Sequence, residues 1–176
     1  MAGIDEKNNC ANLGGIRKIQ LISLENIISL GKPRAGIISD IELDSKRNKF
    51  NVAFFTKTAQ HRENDKRGEQ GKIYRQRLTF TMRGNPLELR NWIEKYSEHW
   101  FLAVYKDSNG ASKLIGNLEN PLTFSTDYDS KKKPTDPSET DFEFTCETLL
   151  PCPHVDANFL ASITRIFDKT FNPTFN

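Results

Sequence analysis

IYRQRLTFTMRGNPLELRNWIEKY, residues 73–96, changes its periodicity half-way along. In the first half Tyr74, Leu78, Phe80 and Met82 fall on one side of an alternating pattern, with Arg75, Arg77, Thr79 and Thr81 on the other. That period of two predicts a strand with one wet face. After Gly84 the period lengthens. Asn85 suits a helix N-cap, Pro86 the first helical position, and Glu88 stands three residues beyond the cap. Leu89, Trp92, Ile93 and Tyr96 then recur at helical spacing, which predicts a helix over about 85–96.

Working outward, strand patterns dominate. GGIRKIQLISL (14–24), AGIISDIELD (35–44) and KFNVAFFTKTAQ (49–60) read as strands before the quoted stretch, and ENIISL (25–30) as a single helical turn. Beyond it, HWFLAVYKDSNG reads as a buried strand ending in an Asn109-Gly110 turn, with SKLIGN (112–117) as its return partner. Leu122, Phe124 and Tyr128 alternate before a polar stretch, and Phe142, Phe144, Cys146 and Thr148 alternate after it. Near the end, Phe159, Leu160, Ile163, Ile166, Phe167 and Phe171 share a helical face, which predicts a C-terminal helix over 156–171. The expected fold is α+β, mainly β. It is an antiparallel β-sandwich or small barrel with one flanking helix, a C-terminal helix and long polar loops. Its 176 residues suit one domain, with a polar lead (1–13) and a C-terminal extension (151–176).

Two segments lack large apolar side chains: QHRENDKRGEQGK (60–72) and DSKKKPTDPSET (129–140). Both read as solvated loops, carrying Arg62, Lys66 and Arg67 in the first, and Lys131, Lys132, Lys133 and Asp136 in the second. Acids in and beside each loop offset most of this charge, and the whole chain carries only +2. No aromatic residue interleaves with either basic cluster, which argues against single-strand nucleic-acid recognition.

Catalytic chemistry finds little footing. His61, inside a charged segment, reads as a solvated surface group, and His99 as a packed one. CETLLPCPH offers Cys146, Cys152 and His154, with Cys10 as a conceivable fourth ligand, yet no C-x2-C or H-x3-H knuckle occurs. Cys146, alternating with Phe144, reads as a small core residue. The expectation is therefore no enzyme, no metal and no cofactor. No apolar run approaches the ~20 residues of a membrane span, and MAGIDEKNNCANLGG has no apolar core of a secretion signal.

The succession LGGIRKIQLISLENI, KFNVAFFTKTAQHRE, YRQRLTFTMRGNPLELRNWIEKYSEHWFLAVYKDSNG, KLIGNLENPLTFSTDYDS and TDFEFTCET resembles small tail and neck proteins of bacteriophages and prophages of Bacteroidota-type bacteria. The resemblance covers most of residues 13–149 and carries no catalytic signature. It implies a tail tube subunit, or a tail-terminator or head-to-tail connector ring. Its partners would be copies of itself, other tail or neck proteins, and DNA that passes through the lumen unread. The location would be the virion tail, assembled in the host bacterial cytoplasm, with no membrane involved. In that scheme Asn85, Pro86, Glu88, Leu89, Trp92 and Ile93 belong to the helix flanking the sheet, and segments 60–72 and 129–140, with Arg62, Lys66, Arg67, Lys131, Lys132, Lys133 and Asp136, would be the inter-subunit arms. A rival of another class is a monomeric β-barrel that holds an apolar ligand with inward aromatics such as Phe80, Trp100 and Phe124.

Overall fold

The computed structural model describes residues 14–44, 49–52, 54, 57–68, 71–133 and 135–164. Among these described residues twelve strands and two α-helices make a mainly β fold. β1 (Ile16–Ser23), β3 (Ile37–Ile38), β5 (Lys49–Val52), β8 (Phe101–Asp107), β9 (Ser112–Ile115) and β12 (His154–Val155) form a six-stranded sheet in the order β3-β12-β9-β8-β1-β5. Every pairing in it is antiparallel except β3 with β12. A second sheet has the order β10-β11-β7-β6, from β6 (Gln60–Gly68), β7 (Gly71–Arg83), β10 (Thr123–Asp129) and β11 (Glu139–Thr148). β2 (Ile27–Leu30) and β4 (Ile41–Leu43) pair as a separate ribbon. The sheets keep open edges, so of the two expected architectures the sandwich forms and the barrel does not.

The six-stranded sheet is the middle layer and is covered on both faces. On one face Ile19, Leu21, Phe101, Ala103, Tyr105 and Ile115 meet Leu78, Phe80, Phe142, Phe144 and Cys146 of the four-stranded sheet. On the other, Ile22, Leu102, Val104 and Leu114 meet Ile41 and Leu43 of β4 and Phe159 of α2 (Ala157–Thr164). This double cover explains why the unbroken apolar run Phe101–Tyr105 is buried at every position: alternate side chains enter different cores.

α1 (Leu87–Tyr96) presents Leu89, Trp92, Ile93 and Tyr96 to the first core, the face the periodicity predicts. Trp92 alone is within 5.3–6.2 Å, centroid to centroid, of the rings of Tyr96, Phe101, Phe124 and Phe142. The helix start differs from expectation. Pro86 keeps an extended ψ of 156° and is itself the cap position, so Asn85 lies one residue too early to cap, and no side-chain cap bond forms. α2 starts as a capped helix, with Phe159 N–H donating to Asp156 Oδ1 at 2.9 Å. The predicted contributions of Ile166, Phe167 and Phe171 lie outside the described residues.

Two apolar segments split where one element was expected. AGIISDIELD divides into β3 and β4 because Ile38 and Ile41 turn into the same core from different partners, β12 and β2. ENIISL supplies only the end of a 3₁₀ turn, Leu24–Asn26, before Ile27 enters β2.

Candidate functional site

The segment 60–72 is the largest correction to the sequence reading. Instead of a loop, Gln60–Gly68 and the start of β7 form a hairpin in continuous register, from Gln60 opposite Thr79 to Gly68 opposite Gly71. Arg62 to Gly68 are all exposed, and beyond the Glu63–Gln76 pair the ribbon has no buried residue and is held by backbone pairing and cross-strand contacts. Lys72 Nζ lies 2.7 Å from Asp65 Oδ2 and 5.0 Å from the Tyr74 ring centroid. Gly71, at φ +124°, takes a backbone conformation that L side chains rarely adopt and closes the tip against Gly68. Polarity alone misled here, because an edge strand with no buried face has no alternation to detect.

Arg62, Lys66 and Arg67 project from this ribbon. Arg75 and Arg77, further down β7, face acids of β11: Arg75 bonds Glu147 at 2.6–2.8 Å and Arg77 bonds Glu143 at 2.5 Å. These two therefore add little to a basic field.

The second polar segment does remain a loop, though a shorter one. β10 and β11 stay paired to Asp129 opposite Glu139, leaving residues 130–138 as the connection. Lys131 is tied back at the base, its Nζ 2.9 Å from Asp129 and 3.2 Å from Glu139. Lys132, Lys133 and Asp136 are exposed. Of the inward expectations on this hairpin, Leu122, Phe142, Phe144, Cys146 and Thr148 are buried, while Tyr128 is 47% exposed beyond the end of the core.

At the root of the β6–β7 hairpin the strand alternation points His61 inward. Its Nδ1 lies 3.0 Å from the Tyr105 hydroxyl, and its Nε2 is buried without a hydrogen-bond partner. Burial first, and the Lys113 charge second, hold its pKa down to about 4. Cys152 arrives from the segment between β11 and β12. Its backbone N–H donates to Glu63 Oε2 at 2.6 Å, and its thiol lies 2.7 Å from the Leu114 carbonyl oxygen. Burial, and then Glu63, push the Cys152 thiol well above its ordinary range. A ring nitrogen of His61, a carboxylate oxygen of Glu63 and Cys152 Sγ all lie within 4.8 Å of one another.

The other thiol has a different role. Burial and then Glu147 push Cys146 up to about 12, and its Sγ sits 3.8 Å from Gln76 Oε1. Gln76, on the inward side of β7, is buried and bridges the two sheets: Nε2 donates to Thr148 Oγ1 at 2.9 Å, and Oε1 accepts from the Gly116 N–H at 3.2 Å. His154 is exposed on β12 and stands outside the His61 cluster, and Cys10 lies outside the described residues. The legible signal for the cluster was the spacing His61-Arg62-Glu63, which puts two ligand-type side chains on one face of a strand. Reading the segment as a loop hid it.

Among aromatics offered as ligand-lining, Phe80 and Phe124 instead pack on Phe142 and Phe144 at 5.1–6.3 Å. Trp100 is 57% exposed and borders a surface groove of about 370 Å³ with Leu24, Leu118 and Pro121. Among the described residues no helix is long and apolar enough to cross a membrane. Compared with protein-family models, curated proteins and solved structures, the chain finds no match.

Proposed function

We propose that the protein is a structural subunit that assembles with copies of itself into rings, as in the tube of a phage tail. The observation that carries this reading is the β6–β7 hairpin. From Asn64 to Gly68, opposite Gly71–Arg75, it is a paired ribbon with no buried residue, so its ordering is rewarded by contact with another subunit. Supporting features are β10, an exposed strand at the open edge of the four-stranded sheet, and the exposed Trp100 and Leu118, which line one surface groove. Head-to-tail contacts between identical subunits close a ring, and an open edge completes a neighbour's sheet. In this scheme the loop carrying Lys132 and Lys133 faces the outside or the next ring, because a lumen lined with such charges would hold DNA by its phosphates. A single ring that terminates a tail or joins it to a head uses the same contacts without stacking.

Replacing residues 66–73 by Asn-Gly shortens the ribbon and keeps the paired residues Asp65 and Tyr74. Negative-stain microscopy should show rings or tubes for the parent and dispersed particles for the variant, with unchanged circular dichroism. A parent that stays monomeric at high concentration and binds an apolar dye would refute assembly and favour the ligand-binding alternative. Deleting residues 130–138 separately should leave rings and lose stacks. Tubes of normal length would remove that loop from the contact between rings.

A further inference from the structure

We propose that His61, Glu63 and Cys152 form a binding site for a single zinc-class divalent cation, which fastens the root of the β6–β7 hairpin to the segment entering β12. The inference is independent of the assembly reading. Three ligand-type atoms of different chemistry meet here from two distant parts of the chain, all within 4.8 Å of one another. At metal–ligand distances of about 2.0–2.3 Å, tetrahedral ligand atoms stand roughly 3.3–3.8 Å apart. The cluster thus needs a contraction of about 1.0–1.5 Å at most, and Glu63, exposed on the edge strand, contributes to it by side-chain rotation.

The surroundings favour binding in three ways. The Tyr105 hydroxyl at 3.0 Å can accept from His61 Nδ1–H, a tautomer that leaves the buried Nε2 with a lone pair and no other partner. The Cys152 backbone N–H holds one Glu63 carboxylate oxygen at 2.6 Å. These are the outer contacts by which a ligand's tautomer and orientation are set. The mixed nitrogen, oxygen and sulfur set, containing one thiolate and one carboxylate, also carries the −2 charge that neutralises a divalent ion. On binding, the Cys152 S–H bond to the Leu114 carbonyl is exchanged for an S–metal bond, and one proton leaves to solvent. Water fills the fourth position from the open Glu63 side. Lys113 acts electrostatically on both His61 and Cys152 and opposes the ion.

The test uses the full chain, reduced and stripped with chelator, titrated with Zn²⁺ by calorimetry and with Co²⁺ by absorption. One ion per chain should bind, and the cobalt complex should show a thiolate charge-transfer band. That band should vanish in Cys152→Ser and persist in Cys146→Ser and Cys10→Ser. Glu63→Gln, an isosteric change at an exposed residue, keeps the test valid if Cys152→Ser fails to fold, and should weaken zinc by at least about 10- to 100-fold. His61→Gln should do the same, whereas Lys113→Gln should tighten binding. No zinc heat in the parent, a cobalt band that survives Cys152→Ser, or zinc affinity unchanged in Glu63→Gln would overturn the site.

Discussion

The two segments poorest in apolar side chains, 60–72 and 129–140, end in different structures. The first is a β-ribbon exposed on both faces, and the second is mostly an irregular loop whose strands stop at Asp129 and Glu139. Both are polar and both project, so composition reports only their exposure. The backbone conformation is decided at the ends. In the first segment one arm runs into β7, fixed in the core by Leu78 and Phe80, the other pairs along it from Gln60 onward, and Gly71 at positive φ closes the tip opposite Gly68. In the second, Pro134 and Pro137 interrupt the stretch and remove two backbone donors.

The two projections share a root, and the largest effect is expected there. Phe144 of β11 is fully buried, with β7 on one side and β10 on the other, so Phe144→Ala should cost about 3–5 kcal/mol and release both projections together. Denaturant unfolding measures this, and a smaller loss would mean that the projections are anchored separately.

Next in size is an acid response confined to the first segment. The pKa of His61 is held at about 4 in the folded state against an ordinary 6.5, so the unfolded chain binds a proton that the folded chain refuses. Stability should fall as pH drops from about 6.5 to about 4, by on the order of 2–3 kcal/mol, and level off below that. His61→Gln should flatten this limb. The measurement is denaturation across that range with chelator present, and an unchanged limb in the variant would assign the response to other groups.

A smaller effect is expected at the ribbon's tip. Gly71→Val forces a β-branched residue to φ +124° and should raise the free energy of local closure by about 1–3 kcal/mol. Amide exchange over Arg62–Gly68 should accelerate while the global midpoint hardly moves. If the whole protein lost stability equally, the ribbon would be part of the cooperative core. Least affected should be the second segment: Lys131→Gly removes two surface ion contacts of a half-buried lysine and also relieves a positive φ of 57°, so the denaturation midpoint should not shift measurably.

Much of the fold was legible because burial is written in local period. The face of α1, the hairpin joining β8 to β9 through Asn109-Gly110, and the inward set Leu78, Phe80, Phe142 and Phe144 all follow from spacing within one segment. What escaped was set by partners. Gln76 shares parity with Leu78 but is polar, and only Thr148 and the Gly116 N–H, brought up from other strands, make its burial tolerable. His61 appeared solvated because its neighbours are charged, and only the pairing of β6 with β7 turns it towards Tyr105.

By itself, then, the sequence determined which residues alternate, where the helix runs and that two segments must stay in water, since these depend on the order of side chains along a few turns or strands. Only the tertiary structure decided that one polar segment is a ribbon, that the middle sheet carries a core on each face, and that His61 and Glu63 meet Cys152. Those outcomes depend on which distant strands pair. A period of two specifies a face, and it carries no information about what will lie against it.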